Sequence, residues 1–268
     1  MTSPAENTST YHSSPDETEE QLIGGGKVMS LTDHLAELRT RIVRSGIAIL
    51  GMFFACLIFS SQILIFLRAP LDHVLAGATS SLHFTGPLDV FLVNIKVSML
   101  SGIVLSSPVW LWQFWSFFEP ALYPRERKLI LPFALTSLLL FLAGVCFCYF
   151  AILPLALDFL IELGKEVSTP MITITDYISV LSMMIFGFGL VFEAPLVLIM
   201  LGLLGLVDPN SLAKSRRFVI IGILFIAAIM TPPDPLSQLG MAIPMYMMFE
   251  ISIVIMRIML RNSKASAS

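Results

Sequence analysis

Two short stretches of this chain carry carboxylates and guanidiniums side by side. Trp115 to Arg127, WSFFEPALYPRER, sets Glu119, Arg125, Glu126 and Arg127 between two long apolar runs. Ser30 to Arg41, SLTDHLAELRTR, sets Asp33, Glu37, Arg39 and Arg41 just ahead of another. A carboxylate can hold a guanidinium through two charge-assisted hydrogen bonds, so each glutamate is a candidate grip for an arginine-bearing ligand. A plainer reading of Glu37 stands beside this one: with Arg41 it makes an i,i+4 surface pair worth roughly a few tenths of a kcal/mol. If instead Glu37 and Glu126 converge on one face, each takes one arginine fork of a peptide. Arg39 and Arg127 then orient the carboxylates and repel stray cations.

Further ionisable groups interrupt apolar sequence: Lys96, Glu193, Glu250 and Asp234. A charge at mid-bilayer costs at least about 2.5–3.5 kcal/mol, so such a residue pairs, reaches the interface or lines a cavity. Lys96 is long enough to snorkel outward, and Asp234 is expected at the far interface. Glu250 stands near Arg257, so it reads either as half of an interfacial ion pair or as a functional group. Glu193 follows FGFGLVF and precedes Ala194-Pro195. A proline there frees a backbone carbonyl, so Glu193 either hydrogen-bonds that carbonyl or serves a polar notch.

Motifs for catalysis are missing from the sequence: there is no HExxH, P-loop or GxSxG elbow. His12, His34, His73 and His83 are scattered, and Cys56, Cys146 and Cys148 form no CxxC pair, so they read as small buried hydrophobes. No metal, nucleotide or other cofactor is expected, and the chain is not read as an enzyme.

The elements that must position these groups follow from composition. Hydrophobic residues make up 56% and charged ones 13%, with mean hydropathy +0.85. A soluble domain carries roughly a quarter charged residues, so this is an integral membrane protein. A net charge of -3 gives no footing for nucleic acid. Six apolar runs follow one another: Ile42 to Leu67, Val90 to Trp112, Leu129 to Leu153, Tyr177 to Val207, Phe218 to Met230 and Leu236 to Met256. Four are long enough for about 30 Å of hydrocarbon. The fifth is too short alone, but the sixth follows the break Thr231-Pro232-Pro233-Asp234-Pro235, so five and six read as a short helical hairpin. Leu31, Leu35, Leu38 and Ile42 recur at helical spacing, predicting an amphipathic interfacial helix ahead of the first span.

Basic residues orient the spans. Lys27, Arg39, Arg41 and Arg44 precede the first, Arg125, Arg127 and Lys128 lie between two and three, Lys214, Arg216 and Arg217 between four and five, and Arg257, Arg261 and Lys264 follow the sixth. Only Arg68 and Lys165 fall on the other side. The positive-inside rule therefore places both termini in the cytoplasm. Residues 1–29, rich in Ser, Thr, Glu and Pro, are expected to be a disordered acidic tail without a basic signal-peptide start. Residues 30–261 form the six-span membrane domain, and 262–268 a cytoplasmic tail.

Five motifs in order, HLAELRTR (His34 to Arg41), SPVWLWQFWSFFEPALYPRER (Ser107 to Arg127), FGFGLVFEAP (Phe186 to Pro195), TPPD (Thr231 to Asp234) and AIPMYMMFEIS (Ala242 to Ser252), resemble the TatC family. That family is the multispan subunit of the twin-arginine protein translocase. The resemblance implies an all-α, six-span receptor for folded cargo bearing twin-arginine signal peptides, driven by the proton-motive force in the cytoplasmic (inner) membrane or an equivalent energy-coupled one. It implies that Glu37 and Glu126 contact the arginines, supported by Arg39 and Arg127. Pro70, Pro108, Glu193 and Asp234 occupy positions used for signal insertion, assembly or transport, and Lys96 is grouped with them. Single-span partners of the TatA/TatB type would dock along helices five and six near Thr231 and Gln238; further copies of the chain and membrane lipids complete the expected partners. Pro124, directly after Tyr123, stands where a polar or basic residue is common, a departure that bears on the backbone leading to Glu126. The competing reading is a proton-coupled small-solute transporter using Glu193 and Lys96 as coupling groups.

Overall fold

The computed structural model describes residues 31–75, 86–119, 130–165, 173–232 and 234–265. The chain divides into two units, Met1–Arg39 and Thr40–Ser268. In the first, residues 31–39 are helical, as the leucine spacing predicts; the acidic tail lies outside the described residues.

The described residues are almost wholly helical. In chain order the helices are α1 (Leu31–Ile58), α2 (Ser60–Leu75), α3 (Pro87–Leu105), α4 (Ser107–Phe117), α5 (Ile130–Phe147), α6 (Leu153–Lys165), α7 (Ile174–Phe192), α8 (Ala194–Leu203), α9 (Pro209–Lys214), α10 (Arg216–Met230) and α11 (Pro235–Ala265). A π-helical turn, Cys148–Ile152, splices α5 to α6. Among the described residues, five helical stretches are long and apolar enough to cross a membrane: Leu35–Ile58, Leu88–Leu105, Ile130–Gly164, Ile174–Leu203 and Pro235–Met259. The fifth expected span is α10, whose 15 residues reach about 22 Å. The chain is thus an all-helical, multi-pass membrane protein.

Helix ends differ from the apolar runs for local reasons. The first run is two helices, parted at Phe59, whose N–H bonds Cys56 O. The second is parted at Ser106, just before Pro108, which fits the first turn of α4 because its missing N–H is not needed there. The third run is longer than expected, because after the π turn the helix continues through α6. The sixth helix, expected to be short, is not: α11 has 31 residues and carries on past the apolar run through Arg257 to Ala265, a stretch without Pro or Gly.

Lipid supplies no hydrophobic drive between helices, so close packing must hold them. The most enclosed span is α7–α8, with 61% of its apolar window buried; α3 and α5 pack along α7, and α11 along α8. Gly144 of α5 shows how tight the fit is, since a Cβ there would stand 2.7 Å from Phe188 O on α7. A second cluster, Trp115, Phe133, Ala134, Leu196, Ile199 and Met200, ties α4 to α5 and α8. Trp115 is fully buried in it, at 0% exposure. By contrast α1 is peripheral: between Thr40 and Ile58 only Cys56 is buried. It meets α3 at Gly102, where a Cβ would lie 2.9 Å from Phe53 N.

Candidate functional site

Glu193 sits in the turn between α7 and α8, with Pro195 starting the second helix. The turn keeps its backbone bonds, Glu193 N–H to Leu190 O at 3.1 Å and Val197 N–H to Glu193 O at 3.1 Å. Its side chain is 7% exposed. The carboxyl does not turn back to a carbonyl freed by Pro195; it accepts a hydrogen bond from Ser137 Oγ of α5 at 2.7 Å. Its other oxygen, Oε1, is buried with no hydrogen-bond partner among the described residues. Gly144, two turns along α5 from Ser137, permits the α5–α7 approach that brings the pair together. An acceptor left this way costs about 1–3 kcal/mol, so the site is built at the expense of stability.

Lys96 does not simply snorkel outward. It is half-buried on α3, and its Nζ donates to Ser179 Oγ of α7 at 2.7 Å, while Ser179 Oγ donates to Thr175 O at 2.6 Å. Ser179 and Glu193 are both on α7 and its end, about 20 Å apart along the axis. The structure therefore does not bring Lys96 and Glu193 together as coupling groups.

At the helical hairpin, Asp234 is 1% exposed. Its Oδ2 accepts the Ser237 N–H at 2.6 Å, so it caps α11, where Pro235 opens the helix. Thr231 is buried and donates its hydroxyl to Ala227 O at 2.9 Å. Gln238 reaches across the hairpin, its Nε2 donating to Leu224 O at 3.2 Å. Thr231, Asp234 and Gln238 are thus brought together at one end of α10 and α11, where their bonds fix the turn.

Glu250 makes its direct ion pair with Arg216, and Arg257 adds only a longer-range attraction. Arg216 Nε stands 2.7 Å from Oε1 and Nη2 donates to Oε2 at 2.8 Å; Tyr246 Oη adds a bond to Oε1 at 2.9 Å. This fork joins the start of α10 to α11. Pro70 lies inside α2, flanked by an Arg68–Asp72 pair at 2.9 Å, and Pro108 is exposed in the first turn of α4. Glu37 is half-buried and Arg39 exposed. Glu119 is exposed just beyond α4. Pro124, Glu126 and Arg127 lie outside the described residues.

Sequence reasoning missed Ser137, Ser179 and Arg216 as the partners of the three ionisable groups. The only signal for Ser137 was a hydroxyl inside a strongly apolar run.

Comparisons with known proteins agree with this architecture. Residues 33–244 match the family model of the Sec-independent protein translocase protein (TatC). The chain is 38% identical over 228 residues to the Sec-independent protein translocase protein TatC of Campylobacter jejuni, covering 85% of this chain and 93% of that one. It is 36% identical over 227 residues to the Escherichia coli K12 protein of the same name, covering 85% and 88%. A crystal structure of the twin-arginine translocase receptor TatC superposes with a TM-score of 0.74 at 38% identity, over 84% of this chain and 98% of that one. With the helical order, the family match and the structural match in agreement, this chain belongs to the TatC family of Sec-independent protein translocase subunits.

Proposed function

We propose that this protein is the signal-peptide receptor and core subunit of a translocase that exports folded proteins, powered by the proton-motive force across the cytoplasmic membrane. The observation that carries the reading is its similarity, over 84% of its length, to a structure described as a twin-arginine translocase receptor. Both termini lie in the cytoplasm on the strength of the basic-residue skew. Glu37 and Glu126 take the two signal-peptide guanidiniums, with Arg39 and Arg127 holding the carboxylates in place. Pro70, Lys96, Pro108, Glu193 and Asp234 serve signal insertion, assembly or transport. Single-span partners of the TatA/TatB type dock at the hairpin near Thr231 and Gln238, and further copies of the chain complete the complex. The burial of Glu193 with one oxygen unmet among the described residues supports a role for it, because that arrangement costs stability and its side chain caps no helix.

The test is site-specific photo-crosslinking of a twin-arginine signal peptide to the full-length protein in membranes. Glu126→Ala is expected to abolish the crosslink, and Glu126→Asp to retain part of it. Crosslinking of the alanine variant at the wild-type level would remove Glu126 from the site.

A further inference from the structure

Pro70 stands inside α2, a helix that continues on both sides of it. A proline there has no N–H for the carbonyl four residues back, and its ring crowds that same carbonyl. The carbonyl belongs to Phe66. It is not left open: Tyr149 Oη donates to Phe66 O at 2.6 Å. The next carbonyl along, Leu67 O, accepts from Tyr177 Oη at 2.7 Å. The two hydroxyls come from different spans. Tyr149 belongs to the π turn Cys148–Ile152 between α5 and α6, and Tyr177 to the first turn of α7. A π turn resets which residues of a helix face a neighbour. Here Tyr149 faces α2, and its ring stacks on Phe66 with centroids 5.0 Å apart and planes 14° apart. Both tyrosines are buried, at 6% and 5% exposure.

Neither hydroxyl has any other reason to be in an apolar bundle. A tyrosine buried among helices needs an acceptor, and helix carbonyls are normally taken. Pro70 makes one available at the level where the third and fourth spans pass α2. We propose that Tyr149 and Tyr177 are the positioning residues of the Pro70 gap in the α2 hydrogen-bond ladder: their hydroxyls clamp the Phe66 and Leu67 carbonyls, so that residues 68–75 are held in one direction against the third and fourth spans. The proline then marks a fixed point of α2 rather than a hinge. This role is separate from the arginine-binding reading above.

The clamp makes the tyrosine and the proline interdependent, which a double-mutant cycle reads directly. The reversible unfolding equilibrium of the full-length protein in lipid nanodiscs is measured for Tyr149→Phe, Pro70→Ala and both together. Phenylalanine keeps the ring and removes only the hydroxyl. Tyr149→Phe alone is expected to shift the equilibrium about tenfold toward the unfolded protein, the scale of a buried acceptor left unmet. Combined with Pro70→Ala the shift falls to about threefold or less, because the restored N–H at position 70 takes over Phe66 O. Tyr177→Phe is expected to cost the same in both backgrounds, since Leu71 N–H, the ordinary helical donor to Leu67 O, is present in each. An equal cost of Tyr149→Phe with and without Pro70, or no cost in either, overturns the proposal. Amide hydrogen exchange over residues 71–75 is a second reading for variants that unfold irreversibly. Exchange should quicken in Tyr149→Phe and return to the wild-type rate when Pro70→Ala is added; an unchanged rate in Tyr149→Phe overturns the clamp.

Discussion

Glu193 and Glu250 are both glutamates within spans, yet their neighbours treat them in opposite ways. Glu250 receives a two-pronged guanidinium and a phenol, so both its oxygens are satisfied. Glu193 receives one serine hydroxyl and keeps an oxygen with no partner among the described residues. The first arrangement is a clip between α10 and α11. The second carries a cost that the first does not, because an oxygen buried without a partner forfeits about 1–3 kcal/mol of hydration, which replacing both partners by apolar groups would recover. Under the proposed function, the contrast separates a residue kept for the fold from one that serves transport.

The sharpest way to break this contrast is Glu193→Leu combined with Ser137→Ala, which replaces both hydrogen-bonding partners at once. Export of a twin-arginine cargo should fall to background while the unfolding midpoint of the purified protein stays level or rises. Full export by this variant would make Glu193 an ordinary core residue. A smaller effect is expected at Gly144→Ala, which leaves both polar partners intact but forces a methyl against Phe188 O. Parting α5 from α7 should cost about 1–3 kcal/mol in an unfolding titration and lower export in proportion as Ser137 is drawn away from Glu193. Smallest is the clip. Glu250→Ala should cost no more than about 1 kcal/mol, because the pair is partly exposed with side chains 45% and 28% accessible. In Arg216→Ala the same substitution should cost almost nothing further. A loss at Glu250 larger than that at Gly144 would reverse the ranking and, with it, the division of roles.

How much of this was legible in the sequence depended on whether a signal was local. The break at Glu193 could be read from Pro195, and the hairpin turn from the prolines around Asp234, because proline acts on its own helix. Partners could not be read this way. Ser137 is 56 residues from Glu193, and Lys96 is 83 from Ser179. Glu250 was matched to Arg257 because that arginine was near in sequence, whereas the packing of α10 on α11 supplied Arg216, 34 residues earlier. Phe59, where the first run parts into two helices, involves neither Pro nor Gly, so nothing in residue type marked it; the π turn at Cys148–Ile152 lies just ahead of Pro154, whose missing N–H falls on Phe150 O, a local signal that went unread. The arginine grip rests on Glu37 and Glu126 as residue types and on the family motifs, with Glu126 outside the described residues.

Trp115 has a consequence of another kind. The chain has three tryptophans, and Trp110, Trp112 and Trp115 all fall within α4. One is sealed at 0% exposure against Phe133, and Trp112 lies open at 42%. The ultraviolet emission of the unlabelled protein is therefore a gauge of a single helix, the one that leads directly into the segment carrying Glu126. A dye-free optical signal for events at that end of the molecule is already built into it.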